Sequence, residues 1–346
     1  MRLRLLLPGL IPLLLIALVA FLLPWLQGLG PDALQRLPLS PILLGILMGM
    51  ALGGVAQRRP DWGPGITLAA GPWLKFAVVL IGLRLSLGEL ASTGWMALPL
   101  VIGVIVTGLL AALLIGRALG IGARLTALLG VGTAICGASA IGATAPAIGA
   151  RREETAYAVA CVAVFGLAAT LFYPPLLHWL LGDGHAAGLV LGGAIHDTAQ
   201  VMGAAALYEQ IWPGGGALEA ATVSKLMRNA AMLAVIPLVV MMVGAGGSGA
   251  RRIPRFPLFI LGFLAMAGLR SLGDTSVPAT WQPGWETLIE AGTQLSQFLF
   301  AMAMAALGMG VRPSILRQLG WRPAVLALLT ALLVGASALA LVTLSL

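Results

Sequence analysis

Charge is scarce in this sequence: Asp, Glu, Lys and Arg make up 9% of its 346 residues, against roughly 25% in soluble globular domains. That scarcity excludes the soluble class. Cysteine is rarer still. Cys136 and Cys161 are the only two, and both fall in apolar runs, so neither a disulfide framework nor a cysteine metal site is indicated. The loops are short, and none is long enough to form an extramembrane domain. The N-terminal run "MRLRLLLPGLIPLLLIALVAFLLPW" lacks an A-x-A-like cleavage site and is longer than a usual signal-peptide core, so it reads as a retained helix.

What is present is apolar sequence. Hydrophobic residues account for 60% of the chain, and the mean hydropathy is +1.01. Runs of about 20 apolar residues, enough to cross a bilayer core, lie near 5–26, 39–56, 65–87, 95–118, 124–149, 155–181, 186–208, 220–243, 256–271, 291–311 and 322–344. The expected fold is an all-α polytopic membrane protein of about eleven segments in one integral membrane domain, residues 1–346. Within it, 1–27 forms an extra N-terminal helix, and 39–181 and 186–344 form two halves.

A pI near 10.7 raises the question of nucleic acid, but the basic residues stand mostly at segment ends, where the positive-inside rule places them. With a cytoplasmic N-terminus, Arg2, Arg4, Arg58, Arg59, Arg117, Arg124, Arg251, Arg252, Arg255, Arg312, Arg317 and Arg322 fall inside. Arg36, Arg84, Arg151, Arg152 and Arg270 fall outside. The expected location is therefore the bacterial inner membrane, N-terminus in. If 124–149 and 186–208 re-enter rather than cross, Arg151 and Arg152 also move inside. The sequence leaves crossing and re-entry open.

The chain also resembles itself. "LIGLRLSLGELASTGW" (80–95) aligns with "ALGMGVRPSILRQLGW" (306–321), placing Gly82 on Gly308. "LLGIL" (43–47) aligns with "ILGFL" (260–264), and "GTAICGASAIGA" (132–143) with "GGAIHDTAQVMGA" (192–204). Inverted repeats with interrupted helices characterise secondary transporters. Glycines at 130, 132, 137, 142 and 149, with Pro146, weaken the first of the two central elements as a continuous helix. Broken backbone inside a membrane is tolerated only where it is buried in protein or lines a cavity.

The second central element carries His196, Asp197 and Gln200 among glycines and alanines. Intramembrane ionisable groups are functional candidates by default. In "ATVSKLMRNAAMLAVIPLVV" (221–240), helical spacing puts Lys225, Arg228 and Asn229 on one stripe. Lys75 sits within its own segment and Arg84 at that segment's end. Buried positive charge in excess of acid selects an anion. The expected substrate-binding residues are Thr133, Cys136, Gly137, Ser139, Gly193, His196, Gln200, Lys225 and Arg228, with Lys75 and Arg84 as secondary basic residues. His196 and Asp197 are the expected coupling pair, protonated His196 tightening the anion. Arg228→Lys is expected to abolish most binding while leaving the protein folded, since only guanidinium offers a planar fork.

At these motifs the chain resembles the YeiH-type sulfate exporter family, distant relatives of the sodium/proton antiporter and bile-acid symporter superfamily. The resemblance covers about 39–344 and rests on "GLRLSL" (82–87), "AICGASA" (134–140), "HDTAQV" (196–201), "ATVSKLMRN" (221–229) and "AMAMAALGM" (301–309). The chain departs from the family in "GTAICG", where a serine-rich lead is usual, and in Asp197, where glutamate is usual. The resemblance implies sulfate or a sulfonate as cargo. The expected function is a secondary transporter, a small-anion exporter working by alternating access. Its expected partners are the anion, a coupling proton or sodium ion, the bilayer and a second copy as homodimer, with no nucleic acid. No cofactor, metal or catalytic residue is expected. Two alternatives differ in class. One is an intramembrane enzyme with Cys136 as nucleophile and His196/Asp197 as base and orienter. The other is an anion channel, against which the absence of a ring of like pore-lining residues speaks.

Overall fold

The computed structural model describes residues 3–28, 40–244, 258–310 and 320–345. Arg2, Arg36, Arg251, Arg252, Arg255, Arg312 and Arg317 of the charge argument, and the centre of the 306–321 motif, lie outside the described residues. Among the described residues every regular element is helical. The helices are α1 (Leu3–Gly28), α2 (Pro41–Gln57), α3 (Pro60–Arg84), α4 (Leu87–Ala118), α5 (Ala123–Val131), α6 (Gly137–Ala147), α7 (Arg152–Leu181), α8 (Gly184–Ala194), α9 (Thr198–Ile211), α10 (Ala217–Ala230), α11 (Met232–Val243), α12 (Leu258–Ser276), α13 (Gln282–Gly310) and α14 (Trp321–Ser345).

Seven helical segments are long and apolar enough to cross a membrane, or eight if α10 and α11, bent by 42° at their junction, are one span. The seven include α5 and α6 taken together as Ala123–Ala147. Large side chains such as Trp95, Trp179 and Met241 are exposed, as lipid-facing surfaces require. This is a multi-pass membrane protein.

Local chemistry sets the helix ends. The Ser40 hydroxyl accepts from the Leu43 N–H at 3.2 Å with Pro41 following, a favourable helix start. Ser86 and Glu89 cap each other reciprocally: the Glu89 carboxylate accepts from the Ser86 N–H at 2.8 Å, and the Ser86 hydroxyl from the Glu89 N–H at 3.2 Å. This capping box starts α4 eight residues before the apolar window near 95. Pro72, which lacks an N–H, sits inside a π-turn at Ala69–Trp73 of α3.

The chain divides into two compact units. The first comprises Met1–Ala91, Ala205–Glu219 and Leu258–Arg312; the second comprises Ser92–Ala204, Ala220–Pro257 and Pro313–Leu346. In the first unit α2 lies along α13 and α12 along the end of α3. These contacts are close because glycines lie in them. A β-carbon on Gly308 would stand 2.5 Å from the Ile46 carbonyl oxygen and 2.8 Å from the Met50 nitrogen. One on Gly82 would press on the Phe263 carbonyl and stand 2.9 Å from the Met266 side chain. Small residues let helices approach where lipid offers no hydrophobic drive. In the second unit α5 and α6 pack on α7, and α8 packs on α7 and α14. Buried Val131, Ala134, Ile135, Met232 and Ile236 form one of its apolar clusters.

Candidate functional site

The second unit contains two helix interruptions. Between α5 and α6, a π-turn over Gly132–Cys136 ends at Gly137, whose φ of 36° is a backbone conformation that glycine alone adopts freely. Between α8 and α9, the backbone becomes extended at Ile195 (ψ 143°) and stays out of helix through Asp197. Each interruption leaves a C-terminal end with free carbonyls and an N-terminal end with free N–H groups.

Helix α10 supplies the partners for the carbonyls. Lys225 and Arg228 both have no exposed surface. The Lys225 ammonium donates to the carbonyls of Ile135 at 2.9 Å and Ile195 at 3.0 Å, and to that of His196. The Arg228 guanidinium donates through Nε to the Ala134 carbonyl at 3.2 Å and through Nη2 to Thr133 at 2.8 Å. Its Nη1 reaches Gly192 at 2.9 Å and Ile195 at 3.0 Å. The basic pair Lys225 and Arg228, one helical turn apart, thus ties both interruptions together. Cations at helix C-termini also face the negative end of the helix dipole, equivalent to roughly half a charge per helix.

The opposite ends of the interruptions meet a different set of groups. Asp197 Oδ1 accepts from the Ala199 N–H at 2.9 Å, in the first turn of α9. A β-carbon on Gly137, the first residue of α6, would stand 3.1 Å from Asp197 Oδ2. One carboxylate therefore lies at the N-termini of both half-helices. Next to it, the Asn229 amide donates to the Thr198 hydroxyl at 3.2 Å, and that hydroxyl lies 3.3 Å from the Cys136 sulfur. Asn229 Oδ1 and His196 Nδ1 are buried and find no hydrogen-bond partner among the described residues.

Gln200 is a clamp. Its amide donates to the Ala163 carbonyl of α7 at 2.9 Å and accepts from the Asp197 N–H at 3.3 Å. It packs on Gly166, where any side chain would collide with it.

The structure therefore brings together Thr133, Cys136, Gly137, His196, Asp197, Gln200, Lys225 and Arg228. It does not bring in Ser139, which is exposed on α6. Gly193 packs on Leu100 and Ala338, and the glycine whose carbonyl meets Arg228 is its neighbour Gly192. Lys75 and Arg84 belong to the first unit. Lys75 is exposed. Arg84 is committed to two carboxylates, to Glu209 and, at 2.5 Å, to Glu219. Hydropathy could not reveal that ion triad, because Glu209 and Glu219 lie just beyond the ends of the apolar runs while Arg84 is more than a hundred residues away. Asn229 carried a signal, its i+4 spacing from Lys225.

These same elements fall within a region shared with other proteins. Residues 8–327 match the family described as "Conserved hypothetical protein 698". The chain belongs to that family. A "UPF0324 membrane protein" of Bordetella bronchiseptica is 33% identical over 305 residues, 85% of this chain and 90% of the relative. One of Pseudomonas putida is 35% identical over 300 residues, 84% of this chain and 81% of the relative. One of Bradyrhizobium diazoefficiens is 31% identical over 347 residues, 99% of this chain and 94% of the relative. No solved structure matches the chain. In this member of the family, the chemistry concentrates where two interrupted helices are tied by one buried Lys–Arg turn.

Proposed function

We propose that this protein is a secondary transporter of a small anion of the sulfate or sulfonate class, an exporter working by alternating access with proton or sodium coupling. The observation that carries this reading is the charge balance at the two interruptions. Lys225 and Arg228 bring two positive charges with no exposure to water. The paired helix C-termini offset about one of them, the paired N-termini return about the same, and Asp197 removes one. About one positive charge is left over, in a place where unbalanced charge is costly, and an anion would balance it.

The eleven-segment inverted repeat, with the N-terminus cytoplasmic in a bacterial inner membrane, belongs to the same proposal. Supporting it, Gly82 contacts Phe263, Met266 and Ala267, and Gly308 contacts Ile46, Gly49 and Met50. The offset that places "LLGIL" on "ILGFL" carries 46, 49 and 50 onto 263, 266 and 267, so the two glycine contacts are the same contact made twice. The enzyme alternative has weaker support, since the Cys136 sulfur meets the Thr198 hydroxyl rather than an imidazole.

The test is uptake of radiolabelled sulfate into proteoliposomes of the purified full chain. Saturable counterflow, competed by methanesulfonate, is the expected result. Failure to exchange either anion, with or without a pH or sodium gradient, would overturn the proposal.

A further inference from the structure

Taking the interruptions as an anion site, we infer that the anion is bound together with a proton and that Asp197 carries it. The geometry puts the Asp197 carboxylate where an anion would go. Its Oδ1 accepts from the first turn of α9 at 2.9 Å, and its Oδ2 lies against Gly137 at the start of α6. The N-termini of both half-helices, each equivalent to roughly half a positive charge, are thereby covered by a resident carboxylate. An incoming anion and an ionised Asp197 compete for the same donors.

Protonation ends that competition. It removes the negative charge and converts one carboxyl oxygen from acceptor to O–H donor. The proton comes from water on one side of the membrane and returns to water when the anion leaves, with no other bond made or broken. A second observation supplies a buried acceptor for such an O–H donor, since an amide oxygen can receive a proton donor but not an anion. Asn229 is only 2% exposed, its amide nitrogen is bonded to Thr198 at the start of α9, and its Oδ1 has no partner among the described residues. His196 Nδ1, also without a partner, is in the same interruption.

The other charged or titratable groups around Asp197 are not equivalent carriers. Lys225 and Arg228 of α10 are committed to carbonyls. Cys136 in the first interruption bonds Thr198, and Cys161 of α7, beside Val162, is buried among apolar side chains. His196, next in sequence, bears cationic rather than neutral charge when protonated. None of these is a second carboxylate.

The test is calorimetric titration of sulfate into the detergent-purified full chain across a pH series, in buffers of differing ionisation enthalpy. Sulfate takes up no proton itself near neutrality, so any proton counted belongs to the protein. The expected result is one proton taken up per sulfate, with affinity falling about tenfold per pH unit on the alkaline side, as one-to-one linkage requires. Asp197→Asn should bind sulfate with a flat pH profile and no proton uptake. His196→Gln serves as a second variant should Asp197→Asn fail to fold: its affinity is free to change, but its pH slope should match the wild type. Sulfate binding by wild type without proton uptake would overturn the inference and leave the transport reading standing, and so would a wild-type slope in Asp197→Asn or a lost slope in folded His196→Gln. Absence of sulfate and methanesulfonate binding at every pH would overturn both.

Discussion

Gly308 lies so close to Ile46 that a β-carbon on it would stand 2.5 Å from the Ile46 carbonyl oxygen. Backbone cannot retreat as a flexible side chain can, so Gly308→Ala should destabilise the first unit by about 1–3 kcal/mol, the usual cost of overpacking. Gly82→Ala, which presses on Phe263, should behave alike. Gly268→Ala, with open space around it, should be near neutral. Thermal unfolding of the three variants in one detergent checks this; equal melting temperatures would show that these glycines do not set the helix spacing.

Arg228→Lys should lower stability as well as anion binding. The guanidinium holds four backbone carbonyl contacts, and an ammonium on a shorter reach cannot hold them all. Each buried carbonyl left without a donor costs roughly 1–3 kcal/mol. To the expectation from sequence, most binding lost with the protein still folded, this geometry adds a stability cost. Unfolding in denaturant, compared with wild type, measures the loss. An unchanged midpoint would mean that the carbonyls find other donors.

Arg84→Gln should destabilise the first unit by leaving Glu209 and Glu219 close together without their shared cation. Adding Glu209→Gln should recover part of the loss, a coupling that a double-mutant cycle isolates. Strict additivity of the two changes would show that the triad is not an energetic unit. Lys75→Gln, at an exposed position, should leave both stability and sulfate uptake unchanged.

Cys136→Ala should retain most sulfate counterflow. Thr198 keeps its bond from Asn229 when the thiol is gone, so the start of α9 stays tied to α10. Counterflow in the variant is the readout. Complete loss from a folded protein would return attention to Cys136 as a reacting group.

The sequence by itself determined that the chain lies in a membrane and is helical. Scarce charge and repeated apolar runs leave no other way to satisfy the backbone in lipid. It also marked the chemistry-bearing stretches, because His196, Asp197, Lys225 and Arg228 have no reason to sit among alanines and valines unless something holds them. Tertiary structure alone decided what holds them. Lys225 and Arg228 meet backbone carbonyls of Thr133 to Ile135 and of Gly192 to His196, and a carbonyl has no sequence signature. Arg84 was legible as a cation but not as one already neutralised, since its carboxylates arrive from distant segments. Asp197 was legible as an acid, whereas its place at two helix N-termini exists only once both interruptions are folded against each other.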